Sequence, residues 1–304
     1  MSDVNETSDG TVTWRELHAE TVQRLARGGS PTPEIDARRI VERAAGFEPA
    51  EFAVGLDTLA TERGVGFLDR MVARRLEGEP LQYVVGVWGF RTLDLHIDRR
   101  VLIPRPETEE VAGLAVDAAR RRAERTGREV LVADLGTGSG AIALSVAVEV
   151  PRARVYATDV SPDALAVARA NLAGLGRAAT RVTLAEGSWF EALPPSSRGA
   201  LDVVVSNPPY VAADEPLPAE VERWEPSLAL RAGPDGTEHL RAIVAEAPRW
   251  LAPDGVLVLE MAPHQVASLA EAYRDAGFDV AVHVDLSGRE RAIVGRRRGR
   301  GERR

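Results

Sequence analysis

The 304-residue sequence predicts an α/β fold preceded by a small helical domain. From about residue 105 onward, short apolar runs alternate with helix-like segments, which is the pattern of a sheet covered by helices. Runs such as Val203-Val204-Val205 are apolar at every position, as expected for parallel strands that are buried on both faces. Residues 14–78 instead place apolar side chains at helical intervals.

The helical region predicts three helices. The first has apolar side chains at helical spacing from Trp14 to Leu25 and stops at Gly28-Gly29. A proline-containing segment opens the second helix near residue 33, and residues 65–76 form the third. The region contains no catalytic constellation of its own, so we predict that residues 1–78 form a substrate-recognition domain, with a simple scaffold as the alternative.

Residues 79–104 predict a β-hairpin linker. The segment 82–90 has the β-branched and aromatic composition of a strand. Leu93, Leu95 and Ile97 then alternate with polar residues, which is typical of a second, half-buried strand.

Residues 105–295 predict the α/β domain. Its seven strand candidates are residues 130–134, 154–158, 181–184, 201–206, 255–260, 280–284 and 291–295. Its helix candidates are residues 107–124, 140–150, 162–174, 237–250 and 264–276.

The composition excludes several kinds of chemistry. All 38 basic residues are arginine, and the chain has no lysine and no cysteine. Thiolate catalysis, disulfides, zinc ribbons, lysine Schiff bases and Walker-type phosphate binding are therefore absent. The five histidines do not have the spacing of metal ligands, so we predict no metal site.

The charge distribution disfavours stable binding to nucleic acid. The net charge is −8, and residues 296–304 alone contribute +5, so the rest of the chain carries −13. We interpret this arginine-rich tail as a solvated, disordered end. The polar N-terminus and the lack of any long apolar run predict a cytoplasmic protein that does not enter a membrane.

A glycine-rich loop follows the first predicted strand of the α/β domain. Asp134 ends the strand, and the loop Gly136-Thr137-Gly138-Ser139-Gly140 leads into an apolar helix. Such a strand–loop–helix unit binds nucleotide-like ligands. The glycines and Asp159, at the end of the next strand, suit either a dinucleotide or S-adenosylmethionine. Asp134 favours S-adenosylmethionine, because a carboxylate suits a cationic amino acid moiety and repels a pyrophosphate.

A second motif, Asn207-Pro208-Pro209-Tyr210, follows the fourth predicted strand. Two prolines stiffen the turn and expose carbonyl acceptors. The Asn207 side-chain oxygen and the Pro208 carbonyl could accept both hydrogens of a planar NH2 group, and Tyr210 would add an aromatic wall. This arrangement suits methylation of a planar nitrogen, whose positive charge it would stabilise as it builds up.

The glycine loop together with Asn-Pro-Pro-Tyr resembles the class I, S-adenosylmethionine-dependent N-methyltransferases of glutamine and adenine. The segment 102–109, Leu-Ile-Pro-Arg-Pro-Glu-Thr-Glu, and the segment 285–289, Asp-Leu-Ser-Gly-Arg, narrow the resemblance. With these motifs, residues 75–295 resemble the peptide chain release factor glutamine methyltransferases, also called PrmC or HemK.

The resemblance implies a Rossmann-like, seven-stranded methyltransferase domain and methyl transfer to the glutamine amide in the Gly-Gly-Gln motif of class 1 release factors. It implies that residues 136–140 hold the methionine part of S-adenosylmethionine, Asp159 its ribose, and Trp189 its adenine. It further implies that residues 207–210 bind the glutamine amide, with Asn207, Pro208 and Tyr210 catalytic, and Asn207 also beside the cofactor. Residues 105–109 would form a wall near the methyl donor. The expected partner is the release factor, and the expected state is a monomer.

Four other interpretations stay open. A glutamine methyltransferase of a ribosomal protein shares most of the motifs but normally lacks the Pro-Glu-Thr part of residues 105–109. A DNA or RNA adenine methyltransferase could hold a flipped base with the same tetrapeptide, although the acidic body disfavours it. A non-catalytic binding module that keeps the fold is disfavoured, because Asp134, Gly136, Asp159 and Asn207 are all present. A dehydrogenase leaves residues 207–210 unexplained.

Overall fold

A computed structural model describes residues 11–297, and the chain divides into two compact units between Gly86 and Val87. This division lies later than the predicted boundary at residue 78. Residues 1–10 and most of the predicted tail, 298–304, lie outside the described residues. Arg296 and Arg297, which we assigned to the tail, instead continue the last strand.

The N-terminal unit is helical, as predicted. Its helices are α1 (Trp14–Arg27), α2 (Pro33–Ala45), α3 (Phe52–Gly55), α4 (Glu62–Leu76) and α5 (Leu81–Val85). Thr13 caps α1 in a reciprocal pair with Glu16, which satisfies backbone N–H groups that the helix leaves unpaired. Leu25, Ile40 and Val72 are fully buried between α1, α2 and α4.

The strand that we predicted over residues 82–85 is wrong, because these residues form helix α5. Pro80 stands just before α5 and Gly86 ends it with a left-handed backbone, φ = 72°. The β-branched composition reflects burial rather than a strand, since Tyr83, Val84 and Val85 are all buried. The predicted hairpin itself is confirmed, with β1 (Val87–Phe90) paired antiparallel to β2 (Leu93–His96).

The second unit contains a seven-stranded sheet between two layers of helices. Its strands are β3 (Val130–Leu135), β4 (Ala153–Asp159), β5 (Val182–Glu186), β6 (Leu201–Ser206), β7 (Leu251–Glu260), β8 (Phe278–Val284) and β9 (Glu290–Arg297). Its helices are α6 (Pro106–Thr126), α7 (Ala141–Glu149), α8 (Pro162–Ala173), α9 (Ala219–Trp224), α10 (Glu238–Trp250) and α11 (Val266–Asp275). All seven predicted strands and five predicted helices are confirmed, whereas the short helix α9 was not predicted.

The strand order is β5-β4-β3-β6-β7-β9-β8. Every neighbouring pair is parallel except those made by β9, which runs antiparallel between β7 and β8. From β3 the chain continues to β4 and β5 on one side of the sheet, and from β6 it continues to β7 on the other side. The order of the strands therefore reverses between β3 and β6, and α/β sheets bind ligands at the carboxyl ends of the strands at such a point. The Ser206 hydroxyl donates to the Leu135 carbonyl at 2.5 Å and joins the two strand ends.

Within residues 11–297, none of the helices combines the length and the apolar character that a bilayer crossing requires.

A candidate cofactor and acceptor site

A cavity of about 310 Å³ opens at the carboxyl ends of β3, β4 and β6. Its wall includes many of the predicted residues, namely Gly136, Thr137, Gly138, Ser139, Asp159, Trp189, Asn207 and Pro209. Asp134, Gly140, Pro208 and Tyr210 are not part of this wall. The two sequence motifs therefore meet at one cavity.

The glycine loop turns sharply between β3 and α7. Gly136, Gly138 and Gly140 have φ values of 71°, 56° and 87°, which residues other than glycine rarely adopt. The backbone N–H groups of Gly136 and Thr137 both donate to the Thr158 carbonyl at 2.8 Å. Loops that bind pyrophosphate direct their N–H groups at the ligand, so this loop is poorly suited to a dinucleotide.

Asp134 lies beneath the loop and is buried. One carboxylate oxygen, Oδ2, accepts from the Thr137 hydroxyl at 2.6 Å and from the Ala143 backbone N–H at 3.1 Å. The other, Oδ1, is buried and has no hydrogen-bond partner among the described residues. Burial raises the pKa of Asp134 to about 7. Asp134 thus shapes the loop and carries an unused buried acceptor.

Asp159 ends β4 on the opposite side of the loop. Its Oδ2 accepts from the Gly138 N–H at 2.8 Å and its Oδ1 from the Ser161 N–H at 2.9 Å. Burial raises its pKa, while these backbone hydrogen bonds oppose the rise. The carboxylate is therefore held in one position at the cavity wall, where it keeps lone pairs for further hydroxyl groups.

An aromatic pair closes another part of the cavity. Trp189 has a left-handed backbone, φ = 44°, and its ring lies 5.2 Å from the His239 ring. A Cβ atom on Gly136 would meet the Trp189 ring at 3.3 Å, so the glycine also makes room for the indole. We interpreted His239 from the sequence as a structural or surface residue, but it lines the cavity. Its position after Thr237, at the start of α10, is the only sequence signal that could have placed it there.

The Asn207 motif leaves β6 beside the loop. Asn207 Nδ2 donates to the Thr108 hydroxyl oxygen at 3.0 Å. The Tyr210 hydroxyl donates to Glu260 Oε1 at 3.2 Å, and Gln265 Nε2 donates to the Tyr210 carbonyl at 2.9 Å. Tyr210 is thus held through both its ring hydroxyl and its backbone, and it forms a support behind the motif rather than the cavity wall itself.

The segment 102–109 contributes to the same site. Leu102, Pro104 and Thr108 line the cavity. The Arg105 guanidinium instead pairs with the buried carboxylate of Glu225, which also accepts from the Ile103 N–H at 3.1 Å. These bonds fasten the segment 102–105 to the chain that follows β6.

The arrangement fits a cationic, ribose-containing ligand better than a polyphosphate. A left-handed glycine loop leaves space where side chains would otherwise lie, and the Asp159 carboxylate lies beside it in the cavity wall. Asn207 also lines this cavity, where its amide could hold a second, NH2-bearing reactant.

Comparison with known proteins finds matches in both units of the chain. A family model described as the methyltransferase small domain matches residues 120–222, and one described as the PrmC N-terminal domain matches residues 16–86. The chain is 39% identical to the release factor glutamine methyltransferase of Deinococcus radiodurans, over 94% of this chain and 99% of that protein. It is 40% identical to the Moorella thermoacetica release factor glutamine methyltransferase, again over 94% of this chain and 99% of that protein.

Among solved structures, the hMettl16 catalytic domain in complex with MAT2A 3'UTR hairpin 6 has a TM-score of 0.50 to this chain at 13% identity. The likeness covers 79% of this chain and 84% of that chain, and it concerns the fold alone. The sequence relatives extend over nearly the whole of both chains, from the helical unit to the last strand. This protein therefore belongs to the release factor glutamine methyltransferase family.

Proposed function

We propose that this protein transfers the methyl group of S-adenosylmethionine to the side-chain amide nitrogen (N5) of the glutamine in the Gly-Gly-Gln motif of class 1 peptide chain release factors. The observation that carries the proposal is the orientation of Asn207. Because its Nδ2 atom donates to Thr108, its Oδ1 atom is left to accept a hydrogen bond from an incoming NH2 group.

An amide nitrogen is a poor nucleophile because its lone pair is delocalised into the carbonyl group. Asn207 Oδ1 and the Pro208 carbonyl would accept the two amide hydrogens and direct the lone pair toward the cavity. Both acceptors also stabilise the positive charge that develops on nitrogen as the new N–C bond forms. The methylated nitrogen is strongly acidic before it loses a proton, so a strong general base is not required.

The cofactor supplies an electrophilic methyl group when it is bound. The loop residues 136–140 would hold its methionine part, with Asp134 beneath them keeping the loop in shape. Asp159, at the end of β4, would accept hydrogen bonds from the ribose hydroxyls. Trp189 and His239 would enclose the adenine ring.

The helical N-terminal unit is the proposed docking element for the release factor. It folds as a compact unit of its own and carries exposed apolar side chains at Ile35, Val54 and Leu59. A protein substrate can use such positions for recognition, while the reacting glutamine enters the cavity of the other unit.

The test is methyl transfer from labelled S-adenosylmethionine to a purified class 1 release factor. A release factor whose Gly-Gly-Gln glutamine is replaced by alanine serves as the control, and peptide mass spectrometry locates the label. We expect label on the loop glutamine and none on the control. A preparation that binds S-adenosylmethionine but leaves the factor unlabelled would contradict the proposal, and ribosomal proteins and then nucleic acid would be the next acceptors to offer.

A further inference from the structure

Asn171 lies in the last turn of α8 and makes three side-chain hydrogen bonds, all to backbone atoms. Its Nδ2 atom donates to the Ser139 carbonyl at 2.9 Å and to the His96 carbonyl at 3.0 Å. Its Oδ1 atom accepts from the His96 N–H at 2.7 Å. Ser139 belongs to the glycine loop, and His96 is the last residue of β2. One amide group therefore joins two segments that are far apart in sequence.

The donors and the acceptor of the Asn171 amide match these partners. An amide nitrogen carries two hydrogens, and here each of them meets a carbonyl oxygen, while the amide oxygen meets an N–H group. The reverse orientation would turn the oxygen toward two carbonyls and the NH2 group toward an N–H, so all three contacts would become repulsive. The side chain is therefore fixed in one orientation by the backbone on both sides of it.

Helix α8 packs against the glycine loop on the face that carries Asn171. A Cβ atom added to Gly140 would lie 3.6 Å from the Cβ of Ala168. Ala168 and Asn171 are three residues apart, so they lie on the same face of the helix. The bond to the Ser139 carbonyl thus holds the loop at a place where the helix already touches it.

The other partner, His96, leads directly into a further part of the cavity wall. The chain after it makes a turn closed by Asp98, whose carboxylate accepts from the Arg100 N–H at 3.0 Å and from the Arg100 guanidinium at 2.9 and 2.6 Å. The Val101 N–H donates to the Asp98 carbonyl at 3.1 Å. Arg100, Val101 and Leu102 then line the cavity. Because the turn is short and internally bonded, the position of His96 sets the position of this wall.

We propose that Asn171 is a positioning residue for the cofactor, which holds the glycine loop and residues 100–102 at a fixed separation. The inference rests on the proposed function, because it concerns the cavity that would bind S-adenosylmethionine. Asn171 itself is not part of the cavity wall, so it acts through the backbone that it holds. Two walls that are joined before the ligand arrives need not be ordered by it, and such preorganisation raises affinity.

Two substitutions break these bonds in different ways. Asn171→Asp keeps an acceptor for the His96 N–H but turns a carboxylate oxygen toward the carbonyls of Ser139 and His96, so it pushes the two segments apart. Asn171→Ala removes all three bonds and leaves space for water beside the freed backbone groups. The alanine variant is therefore the milder change.

The first measurement is calorimetric titration with S-adenosylmethionine and with S-adenosylhomocysteine. We expect Kd to rise at least about tenfold in Asn171→Ala, as when the bound state loses one or two hydrogen bonds, and to rise further in Asn171→Asp. Under the proposed function, kcat at saturating cofactor should stay within about threefold, because the Asn207 motif is untouched. An unchanged Kd in both variants, or a fall in kcat alone, would overturn the inference.

Arg181→Met is the matched control for a general loss of stability. Arg181 also donates to backbone carbonyls, those of Ala147, Val150 and Ala153, but it does so at the end of α7 and is not part of the cavity wall. This variant should lower the temperature of thermal unfolding, as the Asn171 variants do, yet leave Kd within about threefold. A comparable rise of Kd in the control would mean that Asn171 acts through stability alone, and it would overturn the inference.

Amide hydrogen exchange of the protein without cofactor, resolved by peptide mass spectrometry, tests the link independently of the proposed function. Residues 96–102 and 136–140 should both exchange faster in the two Asn171 variants, and neither should do so in Arg181→Met. Faster exchange in only one of these segments, or in neither, would overturn the inference. If the unmodified protein bound no S-adenosylmethionine, the proposed cofactor would be wrong, while the exchange result would still support or refute the link.

Discussion

Replacing Asp134 by asparagine should change how the stability of the protein depends on pH. The Asp134 carboxyl is fully buried, and burial raises its pKa to about 7 from an ordinary value of 3.8. Between these two values the folded chain keeps a proton that the unfolded chain has lost. The free energy of unfolding therefore falls as pH rises through this range, and it levels off above the folded pKa.

The size of the effect follows from that displacement of the pKa. Each pH unit well inside the range is worth about 1.36 kcal/mol, so Asp134 alone lowers the free energy of unfolding by about 3 kcal/mol between pH 4 and pH 7, where it is only partly titrated at both ends. Asparagine has nearly the same shape and does not titrate. Its NH2 group lacks a partner at the position of Oδ1, but that cost is the same at every pH and cancels when two pH values are compared.

The assay is urea unfolding of the protein without cofactor, at pH 5 and pH 8, followed by tryptophan fluorescence. Relative to the unmodified protein, Asp134→Asn should gain about 3 kcal/mol of stability between pH 5 and pH 8. Glu260, whose pKa burial also raises to about 7, should keep its own contribution in both proteins. Parallel pH–stability curves for the two proteins would refute the reasoning, since they would mean that Asp134 titrates normally in the fold.

Three further substitutions test the site. Asn207→Ala removes the proposed amide acceptor and should lower turnover by about 10²-fold or more, with the calorimetric Kd of the cofactor changed only a few-fold; persistent turnover would contradict the assignment. Asp159→Ala should chiefly weaken cofactor binding by removing the carboxylate at the end of β4, and an unchanged Kd would exclude a ribose role. Gly136→Ala should lower the free energy of unfolding by about 1–2 kcal/mol, because alanine is strained in the left-handed backbone conformation. It should also lower the affinity for the cofactor, because the added Cβ would press on the Trp189 ring. Gly127→Ala has the same left-handed backbone with open space around it, so it should lose stability but keep affinity in the same titration.

Local patterns were sufficient to predict most of the fold. Strand β6 contains three consecutive valines and α6 begins at a proline, and in both places the local signal agrees with the tertiary structure. Helix α5 shows the limit of such signals. Its run of apolar residues suits a buried strand and a buried helix turn equally well, and only the flanking Pro80 and Gly86 indicate the helix.

The site was predictable in its motifs but not in its connections. Glycines before a helix and Asn-Pro-Pro-Tyr after a strand are contiguous, so both could be read from the chain. Thr108 and Asn207 are far apart in sequence, and no local pattern indicates that they bond. The sequence likewise could not show that Asp134 turns beneath the loop rather than into the cavity, because that depends on which of its neighbours offer hydrogens.

The pairing of β3 with β6 has a consequence for how such enzymes diversify. The glycine loop and the Asn207 motif leave two directly hydrogen-bonded strands, in register at Asp134 and Val205. Neighbouring strands are about 4.8 Å apart in any sheet, so the backbone ladder fixes the distance between the proposed methyl-donor site and the proposed acceptor site. Under the proposed function, the reaction geometry would be conserved with the sheet, and the choice of acceptor would depend on other parts such as the chain after Tyr210 and the helical unit. Those parts could be exchanged during evolution, or by protein engineering, without changing the spacing between β3 and β6.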